Sequence, residues 1–419
     1  MSSNNNHINE LANHLFRHES GKMIAVLSRL LGLQNLETAH DIVQDTLLQA
    51  ISSWSYGKLP DNPEAWLYRV ARNKAIDYIR RKKKLQELSP QYAYLLQSEY
   101  TLTPTVNNLF LENEIQDSQL RMMFACCHPS IHPDSQIALT LKTLCGLSTT
   151  EIAKAFLTNE ETISKRIYRA KEKIKAENIE LDVPTGKELP MRLEAILKSL
   201  YLLFNEGYNS SHPNQLIRQD LCEEAMRLCQ LLLQNPLTAF PRSNALLSLM
   251  CFQSSRLHAR QDDKGNIILL KQQDRTKWDS HLISKGFELL EAAAEPFEIS
   301  TYHFEAAIAA QHAAAPSFEQ TDWKSIYHLY EQLYQLQPNP VVAMNKAIAS
   351  AYAINKQKAL EELHQIKGLE KNHLYFAAIG EMYFELTQKE MARNYFTKAL
   401  ELTNSQTEQQ LLHKKISNC

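Results

Sequence analysis

Scarce glycine is the feature that most constrains how this chain can fold. Only ten of 419 residues are glycine, which is well below the share of about 7% that glycine has in an average protein. Alanine, leucine, glutamine, glutamate and lysine, which are good helix formers, dominate the rest of the sequence. The composition therefore excludes a glycine-rich all-β fold and a Rossmann-type nucleotide domain, and it predicts an all-α protein.

The charge balance limits how the chain could bind nucleic acid. It has 45 basic and 47 acidic residues, a net charge of −2, which excludes a globally basic nucleic-acid-binding protein. Local basic surfaces remain, because residues 62–84 contain eight basic and two acidic residues, and residues 158–176 contain six and three. A solvated helix end is the alternative interpretation of each cluster.

Membrane and metal signals are absent from the sequence. No apolar run approaches the ~18 residues of a membrane helix, and polar residues 1–7 form no signal-peptide core. Seven irregularly spaced cysteines indicate reduced thiols, so we expect a cytoplasmic protein. Cys126, Cys127 and His128 lack a second ligand pair at zinc-like spacing. Buried thiols are expected there, with a redox sensor as the alternative, and we expect neither a metal nor a cofactor.

Changes in composition divide the chain into four segments. Residues 8–84 and 117–180 are predicted to form two small helical domains, joined by a polar linker over residues 85–116. Residues 190–419 read as a succession of Ala/Leu-rich helices. The expected architecture is thus two small helical domains followed by a larger helical one.

A helix-turn-helix is predicted within the second domain. Ser148 with Glu151, and Thr158 with Glu161, each fit a capping box, so two helices start ten residues apart. Apolar residues at helical spacing give both helices a buried face. The polar side chains left on the outer face of the second helix are Thr162, Lys165, Arg166 and Arg169. Such a helix fits the major groove of DNA, and an ordinary helical hairpin is the alternative.

Two helices of the first domain have contrasting polar faces. Asn62-Pro63-Glu64 marks a helix start, and the polar side of that helix is basic. The preceding helix, about residues 36–54, has an acidic face that is either solvated or a protein-docking surface. The acidic face comprises Glu37, Asp41, Gln44 and Asp45.

These helices carry a family resemblance. Residues 39–50 resemble the core-binding helix of bacterial sigma-70-type initiation factors, and residues 62–81 resemble the helix that melts and reads the −10 promoter element. Residues 119–176 resemble region 4, which reads the −35 element. Because other sigma regions are lacking, the match is to the small extracytoplasmic-function (ECF) group. The resemblance implies a non-catalytic factor that binds core RNA polymerase through its β and β′ subunits, directs it to promoter DNA and initiates transcription.

The resemblance also implies residue roles. Asp41, Gln44 and Asp45 would dock on the β′ coiled coil. The −10 strand would be held by Arg69, Arg72, Asn73, Arg80 and Arg81, with Trp54 and Tyr56 as weaker candidates for a base pocket. The −35 duplex would be read by Thr162, Lys165, Arg166 and Arg169. The linker would lie near the RNA exit path.

The C-terminal half resembles the extension of one ECF subgroup. The resemblance lies in residues 200–209 and 259–279, and it implies a TPR-like domain that regulates sigma activity in cis. A 34-residue period supports TPR-like packing. Counted from residue 373, its core positions are Phe376, Ile379, Gly380, Tyr383, Ala392, Phe396 and Ala399.

Polar groups near aromatics mark a candidate site in this half. They are Asn205, Glu206, Asp274 and Arg275. They could bind a protein or small-molecule partner, or form a structural network that fixes helix packing. No nucleophile–base pair or phosphate loop is evident, so we expect no enzyme.

Two other functions fit parts of the sequence. One is a one-component helix-turn-helix regulator whose helical half binds a ligand, although such a regulator needs no polymerase-docking helix. The other is a TPR scaffold with incidental basic helices. Binding to core polymerase would separate both from a sigma factor.

Overall fold

The structure is a computed structural model that describes residues 2–56, 59–81, 92, 94–96, 98–156, 158–210, 216–295 and 298–419. Over these residues its regular elements are helices, and the β structure is one isolated bridge between Gln261 and Ile267. The predicted all-α fold is confirmed. The chain divides into two compact units, residues 1–203 and 204–419. The sequence predicted that the C-terminal domain begins at residue 190, 14 residues before this division.

The helices of the first unit range from seven to 30 residues in length. They are α1 (Ser2–Leu31), α2 (Leu36–Tyr56), α3 (Pro63–Arg81), α4 (Glu99–Leu109), α5 (Glu112–Cys126), α6 (Pro133–Thr143), α7 (Thr149–Ala155), α8 (Glu160–Ala176) and α9 (Glu188–Tyr208), whose residues from Phe204 onward belong to the second unit.

Helix α1 is the centre of the first unit. It packs against both α2 and α5, and Met23, Leu27 and Leu30 are fully buried. Gly21 allows the closest approach, since a Cβ atom there would lie 2.1 Å from the carbonyl oxygen of Leu144. The two predicted small domains therefore pack on one shared helix.

A buried arginine fastens α1 to α5. Arg29 is 8% exposed, and its Nη1 lies 2.9 Å from Glu114 Oε2 and 3.0 Å from Asp117 Oδ2. The same nitrogen donates to Ser118 Oγ at 3.3 Å. Two carboxylates compensate one desolvated charge, so this ion cluster fixes the register of the two helices.

A second buried network joins α1 to α3. Glu19 is 1% exposed. It accepts hydrogen bonds from Lys22 Nζ at 3.0 Å and from the Tyr68 hydroxyl, and it contacts His18 Nδ1 at 2.7 Å. Burial alone would raise the pKa of Glu19, but these hydrogen bonds and the Lys22 charge outweigh it and lower the pKa to about 2.

The helix-turn-helix is present, with one cap differing from prediction. The Ser148–Glu151 capping box forms as expected, with Glu151 N donating to Ser148 Oγ at 3.1 Å and Ser148 N to Glu151 Oε2 at 2.7 Å. The second predicted box, Thr158–Glu161, is wrong. Asn159 caps α8 by accepting from Thr162 N at 2.8 Å, because the Thr158 amide closes the end of α7 by donating to Ala153 O.

The start of α3 is as predicted, but one base-pocket candidate is not. Asn62 Oδ1 accepts from Ala65 N at 2.9 Å. Trp54 lies inside α2 rather than in a loop, and it is 4% exposed. Its ring centroid is 5.5 Å from those of both Phe16 and Trp66. Trp54 is therefore a core residue, and the side chain of Tyr56 lies outside the described residues.

The second unit continues as helical hairpins. Its helices are α10 (Gln219–Gln234), α11 (Pro241–Ser255), α12 (Ser280–Ala292), α13 (Thr301–Ala314), α14 (Trp323–Leu336), α15 (Pro340–Ala353), α16 (Lys356–Gln365), α17 (His373–Glu385), α18 (Lys389–Leu402) and α19 (Gln406–Asn418).

The predicted 34-residue period coincides with helix pairs in this unit. One period from residue 373 spans α17 and α18, and the preceding period spans α15 and α16. Phe396 is 1% exposed and packs beside Gly380, where a Cβ atom would lie 2.7 Å from the Phe396 ring. The periodic positions thus lie on the packed side of these helices, with Phe376 and Tyr383 partly buried against the core, while the TPR assignment itself stays a prediction.

A long loop interrupts the hairpins between α11 and α12. Its neck is closed by the hydrogen bond from Asp279 N to Ser255 O at 2.8 Å. Asp262 shapes its tip by accepting from the amides of Lys264 and Asn266. We call residues 256–278 the neck-closed loop.

The buried Glu19 network makes stability depend on pH. We expect Glu19→Gln to lower the free energy of unfolding by about 2 kcal/mol at pH 7, because it removes a charged hydrogen-bond acceptor. The contribution of Glu19 is complete above its unfolded pKa of 4.5 and is lost as pH falls towards about 2. Urea unfolding of both chains between pH 7 and 3 should show the difference shrinking below pH 4.5. The exposed Glu180→Gln is the control, and a pH-independent difference would contradict the assignment.

The caps of the helix-turn-helix give a second test. Ser148→Ala and Asn159→Ala should each lower the free energy of unfolding by about 1 kcal/mol, because each leaves a helix-start amide without its acceptor. Thr158→Ala is the matched control and should change it by less than half as much. Chemical denaturation would measure all three, and a larger effect at Thr158 than at Asn159 would restore the original capping box.

Candidate nucleic-acid interface

Helix α8 presents a basic outer face. Its inner face is buried through Ile163, Ile167, Ala170 and Ile174, which matches the predicted spacing. Lys165 and Arg169 are exposed, and Thr162 and Arg166 are half-buried. All four residues predicted for the −35 duplex therefore lie on one side of the helix.

Arg166 is held in place by its neighbours. Its Nη2 lies 2.9 Å from Asp134 Oδ2, and its guanidinium lies 5.5 Å from the centroid of the Phe156 ring. Lys165 has a weaker restraint, since its 2.7 Å ion pair with Glu161 is exposed on both sides. The arginine is thus oriented before any ligand arrives.

An open cleft of about 590 Å³ lies beside these side chains. Its other wall is the first turn of α6 and the residues before it, so helix-start amides border the basic face. Sequence reasoning missed this wall, although Pro133 is a helix-start signal. The lining residues are Ser130, Ile131, His132, Asp134, Ser135, Thr162, Lys165, Arg166, Arg169, Ala170 and Lys173.

Helix α3 carries the second basic face. Arg69, Asn73 and Arg81 are exposed, as is Arg80, which lies 3.9 Å from Asp77. The buried side of the helix consists of Leu67, Ala71, Ala75, Ile76 and Ile79. The basic residues Lys82, Lys83 and Lys84 lie outside the described residues.

Arg72 differs from its neighbours on α3. It is half-buried, and its Nη1 donates to Asn107 Oδ1 of α4 at 3.1 Å. The predicted linker, residues 85–116, therefore includes helices that pack on this domain, although most of residues 82–97 lies outside the described residues.

Helix α2 exposes an acidic and apolar face. Asp41, Gln44 and Asp45 are exposed, and Leu48 and Ile51 on the same helix are 61% and 50% exposed. Glu37 differs, because its carboxylate lies 3.7 Å from Lys171 Nζ of α8. We call Asp41, Gln44, Asp45, Leu48 and Ile51 the α2 face.

The candidate residues of the C-terminal half occupy separate environments. Asn205 is exposed, and Glu206 is buried and accepts from Ser210 Oγ at 3.3 Å. Asp274 is exposed, and its carboxylate accepts hydrogen bonds from the backbone amide and the hydroxyl of Thr276 in the same turn. Arg275 donates to the carbonyl of His312. The end of α9 meets Arg260 instead, whose guanidinium lies 3.8 Å from the Tyr208 ring centroid.

The adjacent cysteines are buried thiols. Cys126 and Cys127 are at most 1% exposed, and burial raises the pKa of Cys127 to about 12 and that of Cys126 well above its usual value. A buried thiol of raised pKa is unreactive, which favours the structural interpretation over a redox sensor.

Three comparisons place the chain among known proteins. Residues 15–85 match the family Sigma-70 region 2, residues 121–174 match Sigma-70, region 4, and residues 192–294 match DUF6596, a family of unknown function. No solved structure matches the chain. The helices in the described part of the chain include no candidate for a membrane span.

Relatives cover the chain to different extents. An uncharacterized protein of Rhizobium meliloti is 34% identical over 90% of this chain and 88% of its own length. The ECF RNA polymerase sigma-E factor of Haemophilus influenzae is 28% identical over 39% of this chain and 84% of its own. The ECF RNA polymerase sigma factor SigW of Bacillus subtilis is 27% identical, over 37% and 81%.

The sigma-factor relatives thus match about as much of the chain as regions 2 and 4 occupy, and the basic faces of α3 and α8 lie within those two matches. The chain belongs to the sigma-70 family and is a sigma factor of the ECF type.

Proposed function

We propose that this sigma factor docks on core RNA polymerase through the α2 face, holds the −10 strand with α3 and reads the −35 duplex with α8. The observation that carries the proposal is the separation of chemistry by helix. An acidic and apolar face lies on α2, while basic faces lie on α3 and α8, all within the matched regions.

The α2 face has the chemistry of a protein contact. Exposed Leu48 and Ile51 would bury apolar surface, while Asp41 and Asp45 would repel DNA phosphates. Charged residues at the rim of an apolar patch give an interface its specificity and association rate. A basic helical surface, such as the β′ coiled coil named by the family resemblance, is a suitable partner.

The α3 face suits a single strand. Arg69, Arg72, Arg80 and Arg81 would neutralise phosphates, and the exposed amide of Asn73 can bond an unpaired base edge. Because buried Trp54 is unable to stack on such a base, the recognition of flipped bases would rely on this face.

The α8 face suits a duplex. Arg166 could bond the O6 and N7 atoms of guanine, while Lys165, Arg169 and Thr162 could contact phosphates or neighbouring bases. Asp134 would keep the Arg166 fork oriented during this contact. The cleft beside α6 would accept the sugar-phosphate backbone.

Two substitutions should separate the two contacts. Asp45→Ala should weaken binding to core polymerase about tenfold or more, because it removes a charge from the centre of the proposed interface, and it should leave −35 recognition by the holoenzyme unchanged. Arg166→Ala should preserve core binding and weaken promoter binding by ~1–3 kcal/mol. Fluorescence anisotropy with core enzyme, and promoter-dependent transcription with the holoenzyme, would measure the two effects.

Matched controls use exposed residues of the same unit. Glu180→Ala is the control for the lost acid and Lys187→Ala for the lost base, and neither should change either contact. Absence of core binding by the unmodified chain would overturn the sigma mechanism. Core-independent, sequence-specific duplex binding would instead favour the one-component regulator.

We further propose that the second unit regulates the first in cis. Its support is the DUF6596 match, which begins at residue 192, inside α9, and continues to residue 294. The 34% identical relative spans nearly the whole chain, so this half accompanies the sigma regions there as well.

Truncation tests this regulation. A chain ending at Tyr208 keeps all of α9 and should still bind core polymerase, because regions 2 and 4 are complete. We expect its promoter-dependent transcription to differ at least threefold from that of the full chain, measured at equal holoenzyme concentration. Equal transcription would make the second unit an independent module.

A further inference from the structure

Two arginines share one buried tryptophan at the neck of the neck-closed loop. The guanidinium carbons of Arg256 and Arg275 lie 5.6 Å and 4.2 Å from the Trp278 ring centroid. Trp278 is 7% exposed. Arg256 begins the loop and Trp278 ends it, beside the hydrogen bond from Asp279 N to Ser255 O. Two positive charges are therefore concentrated where the chain leaves α11 and returns to α12.

Several buried N–H groups of this cluster lack a partner. Within the described part of the chain, no hydrogen-bond acceptor reaches Nε of Arg256, Nε and Nη2 of Arg275, or Nε1 of Trp278. His312 Nδ1, on the neighbouring helix α13, is likewise unpartnered. Buried donors in native proteins are almost always satisfied, so a concentration of unsatisfied donors marks a site that an acceptor-rich ligand would fill.

Three other arginines of the second unit pair with carboxylates. Arg218 pairs with Asp220 at 2.9 Å, Arg227 with Glu224 at 2.8 Å and Arg242 with Glu298 at 2.7 Å. Among the described residues, Arg275 donates to a neutral carbonyl, that of His312. Burial, followed by the charge of Arg256, lowers the pKa of Arg275, and the charge of Glu319 opposes this shift without cancelling it. The field at this cluster is therefore positive.

His312 adds a neutral group to the positive cluster. Burial, together with the charges of Arg256 and Arg275, lowers its pKa to about 3. At pH 7 its imidazole is uncharged and can donate one hydrogen bond through Nδ1. The cluster thus offers two fixed positive charges and further neutral donors.

We propose that Arg256, Arg275, Trp278 and His312 form a binding site for a phosphoryl group. Guanidinium groups bind phosphate through paired, charge-assisted hydrogen bonds. A tetrahedral dianion with four oxygens matches two charges and several separate N–H donors better than a carboxylate does. A bound phosphoryl group would bridge the start and end of the neck-closed loop. The site lies apart from regions 2 and 4 in sequence, and it stands independently of the proposed promoter contacts.

Thermal unfolding of the full chain tests the site with inorganic phosphate as the probe. At constant ionic strength, phosphate should raise the melting temperature saturably by several degrees, because a ligand that binds only the folded state stabilises it. Acetate under the same conditions should give no saturable rise. A phosphorylated sugar added in place of phosphate distinguishes two kinds of site. It should bind at least tenfold more tightly than inorganic phosphate if the site takes a phosphorylated metabolite, and no more tightly if the site takes free phosphate.

Variants assign the effect to these residues. Arg275→Gln and Arg256→Gln should each raise the apparent Kd for phosphate at least tenfold, and Trp278→Phe, which keeps the ring but loses Nε1–H, should raise it severalfold. Lys277→Gln is the matched control, because it removes an exposed charge two residues from Arg275 and should leave the Kd unchanged. Where an arginine variant fails to fold, Trp278→Phe carries the test. No saturable stabilisation of the unmodified chain, or equal stabilisation of the variants, would overturn the proposal.

Discussion

The ion cluster of Arg29 with Glu114 and Asp117 is the interaction on which the first unit depends. A guanidinium that is 8% exposed would be strongly destabilising alone, and its two carboxylates lie on a helix 85 or more residues further along the chain. Satisfying the charge therefore requires α1 and α5 to meet in one register. The close approach at Gly21 allows the end of α6 to join the same core. Regions 2 and 4 consequently share a hydrophobic centre rather than being connected only by their linker.

The placement of the acidic residues explains how a near-neutral chain can have strongly basic faces. The acids that balance the charge are not spread evenly, because several contact the side chains proposed to bind DNA. Asp134 holds Arg166, Glu161 pairs with Lys165, and Asp77 lies 3.9 Å from Arg80. DNA must exchange or share these partners, which reduces the net gain on binding. The separate sigma factor should therefore bind promoters weakly, and in the proposed complex polymerase would supply the remaining contact surface.

Sequence patterns predicted elements better than they predicted side-chain environments. The Asn62 start, the Ser148 box and the buried stripe of α8 depend on neighbours within one turn, and all three are present. The cap predicted at Thr158 is wrong because Thr158 and Asn159 compete for one position, and the closure of α7 by the Thr158 amide decides between them. The base-pocket role predicted for Trp54 is wrong because its partners, Phe16 and Trp66, come from other helices. Asp134 likewise reaches Arg166 across 32 residues, a contact that periodicity does not encode.

Arginines of the second unit also differ in whether nearby residues in the sequence or the folding of the chain determine their surroundings. Arg218 and Arg227 find carboxylates two or three residues away, so local sequence provides their compensation. Arg256 and Arg275 instead meet through the folding of the neck-closed loop, and Trp278 brings the two charges together without neutralising them. Their mutual repulsion opposes closure of the neck, whereas the hydrogen bond from Asp279 to Ser255 favours it. An anion between the arginines would reverse the sign of that electrostatic contribution. The loop also contacts α17, where Lys271 Nζ lies 3.1 Å from Glu385 Oε1. A phosphoryl ligand at the proposed site would thus favour closure of the neck.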